Sequence, residues 1–233
     1  MKLGVPSKGR LMDQCFDWFG ARGVPMRLDG GAREYSGAAA GVPGLELVLL
    51  SAGEVPQELA AGRIHLGVTG SDLVRERLAD WETQVAEVAP MGFGQADLVV
   101  AVPAGWIDCD TLDDLDAVAA AFRAAEGRRL RIATKYHRLV REFLGAAGVA
   151  DYALVDSQGA TEGTVRNGTA EAIADITSTG ETLRANHLKI LADGLIHASQ
   201  ATLYLSRVAE WTEADRAALS ALAGRLGVSA PAL

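Results

Sequence analysis

Cysteine is scarce in this chain. The 233 residues hold two, Cys15 and Cys109, far apart and in no C-x-x-C pair, so neither a disulfide framework nor a cysteine-pair motif is available. Cys15 falls on the apolar face of an expected helix and reads as a buried free thiol in a reducing cytosol. Histidine is nearly as rare. His65, His137, His187 and His197 are scattered without metal-ligand spacing, and each fits a surface or core position better than a ligand set. No run of basic residues occurs and the net charge is −8, which argues against nucleic acid as a partner. Small anionic substrates stay open, because local clusters of charge decide binding. No apolar signal region opens the chain and no apolar run has membrane length, so a soluble cytoplasmic protein is expected. A Gly-x-x-x-x-Gly-Lys-Ser/Thr loop is missing, which excludes a P-loop. Gly92-x-Gly94 lacks a third glycine and a clean strand–helix context, which excludes a dinucleotide fingerprint.

What is present is an alternation of short apolar strands and amphipathic helices over a length that allows one large or two small domains. Strands are expected at Leu3–Pro6, Leu45–Leu50, Ile64–Val68, Val85–Val88, Leu98–Val102, Leu130–Ala133 and Tyr152–Val155. Helices are expected over Leu11–Arg22, Glu54–Ala61, from Thr69-Gly-Ser-Asp72 onward, from Thr111-Leu-Asp-Asp114 to about Ala125, over Tyr136–Ala147 and over Thr212–Leu226. Gly30–Gly44 suggests a loop or hairpin. Leu188–Leu191 and Ala198–Leu205 suggest strands returning to the first half. The architecture inferred is α/β, two lobes with mainly parallel sheets. Residues 1–92 with 193–233 form one lobe and residues 93–192 the other. Two crossings join them, with a ligand cleft between.

The most informative stretch runs from Gly168 to Asn186. Ala170–Ile176 reads as a buried strand interrupted by Glu171 and Asp175. Thr177, Ser178, Thr179, Gly180 and Thr182 follow, and the pattern then turns helical. Ser178 and Glu181 stand three apart, as in a capping box. A strand ending in hydroxyls and a glycine before a helix suits an anion. Acids just before it suit ribose hydroxyls or a shared magnesium ion. A phosphate loop beside sugar-binding acids describes a phosphoribosyl group. The turn Ser7-Lys8-Gly9-Arg10, two cations at a helix start, reads by itself as a solvated basic turn and, taken with the rest of the pattern, as a second anion site.

Ala170-Glu171-Ala172-Ile173-Ala174-Asp175-Ile176-Thr177-Ser178-Thr179-Gly180-Glu181-Thr182-Leu183 resembles the signature of the ATP phosphoribosyltransferases that open histidine biosynthesis. Further resemblance lies at Pro6–Leu11, Leu66–Leu73 and Arg131–Tyr136. The resemblance implies a two-lobed fold like the type II periplasmic binding proteins. It implies transfer of the phosphoribosyl group of phosphoribosyl pyrophosphate to N1 of ATP. Glu171, Asp175, Thr177, Ser178, Thr179, Gly180 and Thr182 would bind phosphoribosyl pyrophosphate. Lys8, Arg10 and Arg33 would act at the ATP and leaving-group wall, which Gly70, Ser71 and Asp72 could also line. Glu162 matches a family acid with no assignable role. Magnesium is implied as the cofactor, held by phosphates and water with Asp175 the one side-chain candidate.

This chain departs from the family at Ser51-Ala-Gly-Glu-Val-Pro56, where many members carry a basic residue, and after Glu162, where a proline is usual. Its length resembles the short form. That implies a homodimer working with a regulatory subunit related to histidyl-tRNA synthetases, with no nucleic-acid or membrane partner. The alternative is a non-catalytic two-lobed ligand-binding protein; another is a phosphoribosyltransferase for a different base.

Overall fold

The computed structural model describes residues 1–28, 36–229 and 231. Its chain divides into two compact units, Met1–Gly94 with Gln200–Leu233, and Gln95–Ser199.

In the first unit, strand β1 (Lys2–Pro6) is followed by helix α1 (Gly9–Gly20), strands β2 (Met26–Leu28), β3 (Ser36–Ala39) and β4 (Glu46–Leu50), and helix α2 (Val55–Ala60). Strand β5 (Leu66–Gly70) leads into helices α3 (Ser71–Arg77) and α4 (Trp81–Gln84) and strand β6 (Val85–Pro90). Helix α1 forms because Cys15 and Phe19, one turn apart, both bury completely while Leu11 and Phe16 pack beside them. It ends where Gly23 adopts a φ of +75°, a left-handed value that costs glycine little. Fully burying side chains such as Leu3, Phe19 and Leu66 stabilises the unit by about 1.5–3 kcal/mol each.

The second unit holds β7 (Ala96–Pro103), α5 (Leu112–Glu126), β8 (Leu130–Thr134), α6 (His137–Ala146) and β9 (Tyr152–Asp156). After these come α7 (Gly163–Arg166), β10 (Ala172–Thr177), α8 (Glu181–Ala185) and β11 (Leu188–Ser199). Helix α5 starts with the expected capping box. Asp114 N–H donates to Thr111 Oγ1 and Thr111 N–H to Asp114 Oδ2, satisfying two end groups of the helix. Strand β11 bulges between Ile190 and His197, and the bulge places Asp193 Oδ1 2.9 Å from the Leu112 N–H. The chain then returns to the first unit as β12 (Ala201–Ser206) and α9 (Glu213–Leu226). Thr212 and Asp215 cap α9 reciprocally, and Gly227 stops it at φ +67°.

The α/β class holds, but both sheets are mixed rather than mainly parallel. The first has the order β2-β3-β4-β1-β5-β12-β6 and the second β11-β7-β10-β8-β9. Strands linked by helical crossovers pair in parallel: β1 with β4 and β5, β8 with β9 and β10. Antiparallel pairs arise from the β2-β3-β4 meander and from the strands next to the two crossings between units. Sequence periodicity reports burial of a strand, not its direction. Strand β11 also corrects the expectation that both late strands return to the first lobe. It pairs with β7 throughout, and only β12, beyond Gln200, joins the first sheet.

Candidate functional site

Parallel strands put their carboxyl ends on one edge of a sheet, and loops leaving that edge are free to meet a ligand. In the second unit β8, β9 and β10 end together. There a pocket of about 330 Å³ is lined by Ala96, Glu162, the run from Asp175 to Thr179, Thr182 and Leu183. Strand β10 carries Ala172–Ala174 fully buried, which fixes Asp175 at the point where the chain leaves the core.

The loop Thr177–Gly180 is held by its own hydroxyls. Gly180 N–H donates to Thr177 Oγ1 at 2.9 Å and Glu181 N–H to Thr179 Oγ1 at 3.3 Å. Ser178 Oγ donates to the Gln95 carbonyl at 2.8 Å, tying the loop to the start of β7. Ser178 therefore does not cap α8, contrary to the capping-box spacing. The cap position falls on Gly180, at φ +71°, and a left-handed residue there turns the Ser178 hydroxyl away from the helix. Among the described residues neither the Thr179 nor the Thr182 N–H has an acceptor in the protein. Arg184 Nη2 donates to the Thr179 carbonyl at 3.0 Å.

Asp175 is buried, 8% exposed. Its Oδ1 accepts the Ile176 N–H at 2.8 Å and lies 3.2 Å from Lys135 Nζ. Lys135 lies in the Arg131–Tyr136 stretch of the resemblance, just after β8, but the sequence gives it no role; that needs the β8–β10 pairing.

Glu171 is placed elsewhere. It shares a face of the strand with Asp175, yet stands at the opposite end, where Arg131 Nη2 meets its Oε1 at 2.6 Å and Arg128 Nη2 at 3.2 Å. Burial works against its charge. Hydrogen bonds from Arg131 and Arg128 outweigh that and hold its carboxyl at about 2. It is not a lining residue of the pocket.

The first unit gathers a second set of candidates at the carboxyl ends of β1, β4 and β5. Lys8, extended at φ −164°, is the cap of α1, with Gly9 at φ +71° after it. Lys8 and Arg10 are exposed and form no ion pair among the described residues. Gly70 caps α3, while Ser71 and Asp72 are buried at 8% and 5% exposed. Ser51 donates its N–H and Oγ to Glu54 Oε2 at 3.0 and 2.7 Å, which lowers the Glu54 pKa. Arg33 lies outside the described residues.

The HisG family model, ATP phosphoribosyltransferase, matches residues 51–227. A protein named ATP phosphoribosyltransferase from Cereibacter sphaeroides is 76% identical over 231 residues, covering 99% of this chain and 98% of its own. The chain belongs to the ATP phosphoribosyltransferase family. The same fold occurs in a Thermotoga maritima structure described as an ATP phosphoribosyl transferase (HisG:HisZ) complex, at a TM-score of 0.73 and 22% identity over 97% of this chain and 96% of that one. A putative L-cystine ABC transporter from Listeria monocytogenes also shares it, at a TM-score of 0.54 and 11% identity, covering 96% and 87%. The fold thus also occurs in a protein described in other terms. Every residue of the β10 pocket falls inside the span of the family match.

Proposed function

We infer that the protein transfers the phosphoribosyl group of phosphoribosyl pyrophosphate to N1 of ATP, the first step of histidine biosynthesis. The observation that carries this reading is the pocket after β10, where the Thr179 and Thr182 amides, without acceptors among the described residues, stand beside a buried carboxylate. The amides of Thr179 and Thr182 and the hydroxyls around them suit the 5-phosphate of the sugar. Asp175 and Glu162, which both line the pocket, suit the ribose hydroxyls. On this reading the first unit takes ATP, with Lys8, Arg10 and Arg33 meeting phosphates and Gly70, Ser71 and Asp72 beside them.

The lone pair of adenine N1 forms the new bond to C1 of the ribose. The bond from C1 to the pyrophosphate oxygen breaks, and its electron pair departs on that oxygen. A ring nitrogen with a lone pair needs no activating base, so catalysis here is mostly alignment. Holding two reactants in near-attack geometry lowers a barrier by roughly 7–11 kcal/mol. Donors placed where charge develops on the leaving group add about 2.7–4 kcal/mol each.

A divalent cation accompanies pyrophosphate ligands, and we take it to be magnesium. Among the described residues no three His, Cys, Asp or Glu side chains gather closely enough to hold a metal ion. Asp175 already commits one oxygen to Ile176 and Lys135. On this reading magnesium comes with the substrate, coordinated by its phosphates and water.

We take the partners to be a second copy of the chain and a regulatory subunit related to histidyl-tRNA synthetases. The HisG:HisZ description of the Thermotoga structure supports a partner subunit of a different kind. No described helix is long and apolar enough to cross a membrane, and the cytoplasm, where ATP is made and used, is the proposed location. Mixing the purified chain with ATP, magnesium and phosphoribosyl pyrophosphate tests the activity through the ultraviolet shift of adenine alkylated at N1. Binding of phosphoribosyl pyrophosphate with no product, with and without the regulatory subunit, would replace the enzyme by a binding protein.

A further inference from the structure

The pocket after β10 has two carboxylates in its lining, Glu162 and Asp175, and no lysine or arginine. A lining of that sign repels a pyrophosphorylated sugar. A compensating charge comes from the neighbouring strand. Strands β8 and β10 run parallel with Ile173 opposite Ala133, so two residues further along each chain are Asp175 and Lys135. Side chains alternate with a period of two, which puts this pair on one face at one level.

The structure sets Lys135 Nζ 3.2 Å from Asp175 Oδ1, with the lysine side chain 36% exposed. The same ammonium lies 5.5 Å from the ring centroid of Tyr136, a buried side chain. An anion and an aromatic face thus hold the cation beside the pocket. Asp175 Oδ1 is taken up by Lys135 and the Ile176 N–H, while Oδ2 has no protein partner among the described residues.

We propose that Lys135 is a positioning residue for phosphoribosyl pyrophosphate that acts through Asp175, an inference that rests on the reading of the pocket given above. Its ammonium offsets the aspartate charge, so the anionic ligand meets a neutral pair. It also fixes Oδ1, which leaves Oδ2 to accept a ribose hydroxyl.

The test compares wild type, K135M, K135R, D175N and K135M/D175N in the full chain. Binding of phosphoribosyl pyrophosphate alone is measured by calorimetry, together with KM for each substrate and melting temperature. K135M should weaken phosphoribosyl pyrophosphate binding and raise its KM by roughly ten- to a hundredfold, the range for a lost charged hydrogen bond, with the KM for ATP nearly unchanged. K135R should recover most of the loss because it keeps the charge. The double variant should lose less than the product of the two single losses. The proposal is overturned if K135M lowers only the melting temperature, if K135R is no better than K135M, or if the two losses multiply. Product formed by wild type and K135M alike would sink the role of Lys135 and leave the enzyme standing. A wild-type chain that neither binds phosphoribosyl pyrophosphate nor makes product would sink both.

Discussion

Arg131 holds Glu171 through its backbone as well as its side chain: the N–H and Nε reach Oε2 at 2.7 and 3.2 Å, and Nη2 reaches Oε1 at 2.6 Å. That clasp makes Glu171 a structural acid, and it separates stability from function along one strand. Glu171→Gln should cost about 1.5–3 kcal/mol of stability, the range for hydrogen bonds to a charged group, while the KM for phosphoribosyl pyrophosphate stays put. The folded-state carboxyl sits at about 2, below its ordinary 4.5. Its stabilisation is therefore full above pH 4.5 and lost as pH falls towards 2. Melting curves of wild type and E171Q should converge over that window. A raised KM in E171Q would return Glu171 to the ligand.

Asp175→Asn and Thr179→Ala probe the other end of the strand. Each should reduce kcat/KM for phosphoribosyl pyrophosphate by roughly 10²–10³, the effect of removing one well-placed polar group from an active site. Melting temperatures should change little for Thr179→Ala, whose side chain makes one hydrogen bond among the described residues, from the Glu181 N–H at 3.3 Å. Unchanged kinetics in both variants would remove the loop from the mechanism.

The contrast between Glu171 and Asp175 also marks where the sequence can be read and where it cannot. A period of two places both acids on one face, but whether an acid sits at the ligand edge depends on strand direction and on what packs beside it. Arg131 and Lys135 decide that, and both arrive from β8, some 40 residues away in the chain. Local signals fared better. The Thr111–Asp114 spacing is a capping box in the structure because both partners lie within one helical turn. The Ser178–Glu181 spacing is the same and is not one, since Thr177 and a left-handed Gly180 take over that junction. Mixed sheets were illegible for a related reason: buried strands such as Leu98–Val102 carry the same apolar run in either direction.

Neither cysteine should react while the protein is folded. Burial pushes the Cys15 thiol up to about 12 and also raises Cys109, and the thiolate is the reactive form. A chromogenic disulfide reagent at pH 8 should label less than one thiol per chain until denaturant is added, then both. Prompt labelling of the native protein, traced by mass spectrometry to Cys15, would contradict its complete burial in the core of the first unit.

Gly180→Ala isolates the loop itself. At φ +71° an alanine is strained by roughly 1–2 kcal/mol. Its Cβ would also stand 2.9 Å from Arg184 Nη1, so the guanidinium must shift and release the Thr179 carbonyl it now holds at 3.0 Å. Gly127→Ala is the matched control. It sits at φ +69° as the cap of α5, with open space where a Cβ would go and no place in the pocket. Both variants should lose stability through the same backbone strain, Gly180→Ala somewhat more because the Arg184–Thr179 hydrogen bond is lost as well. Only Gly180→Ala should raise the KM for phosphoribosyl pyrophosphate, since there alone the Thr179 amide and carbonyl are disturbed. Equal KM values in the two variants would mean that Arg184 and the Thr179 backbone do not set the affinity of the pocket.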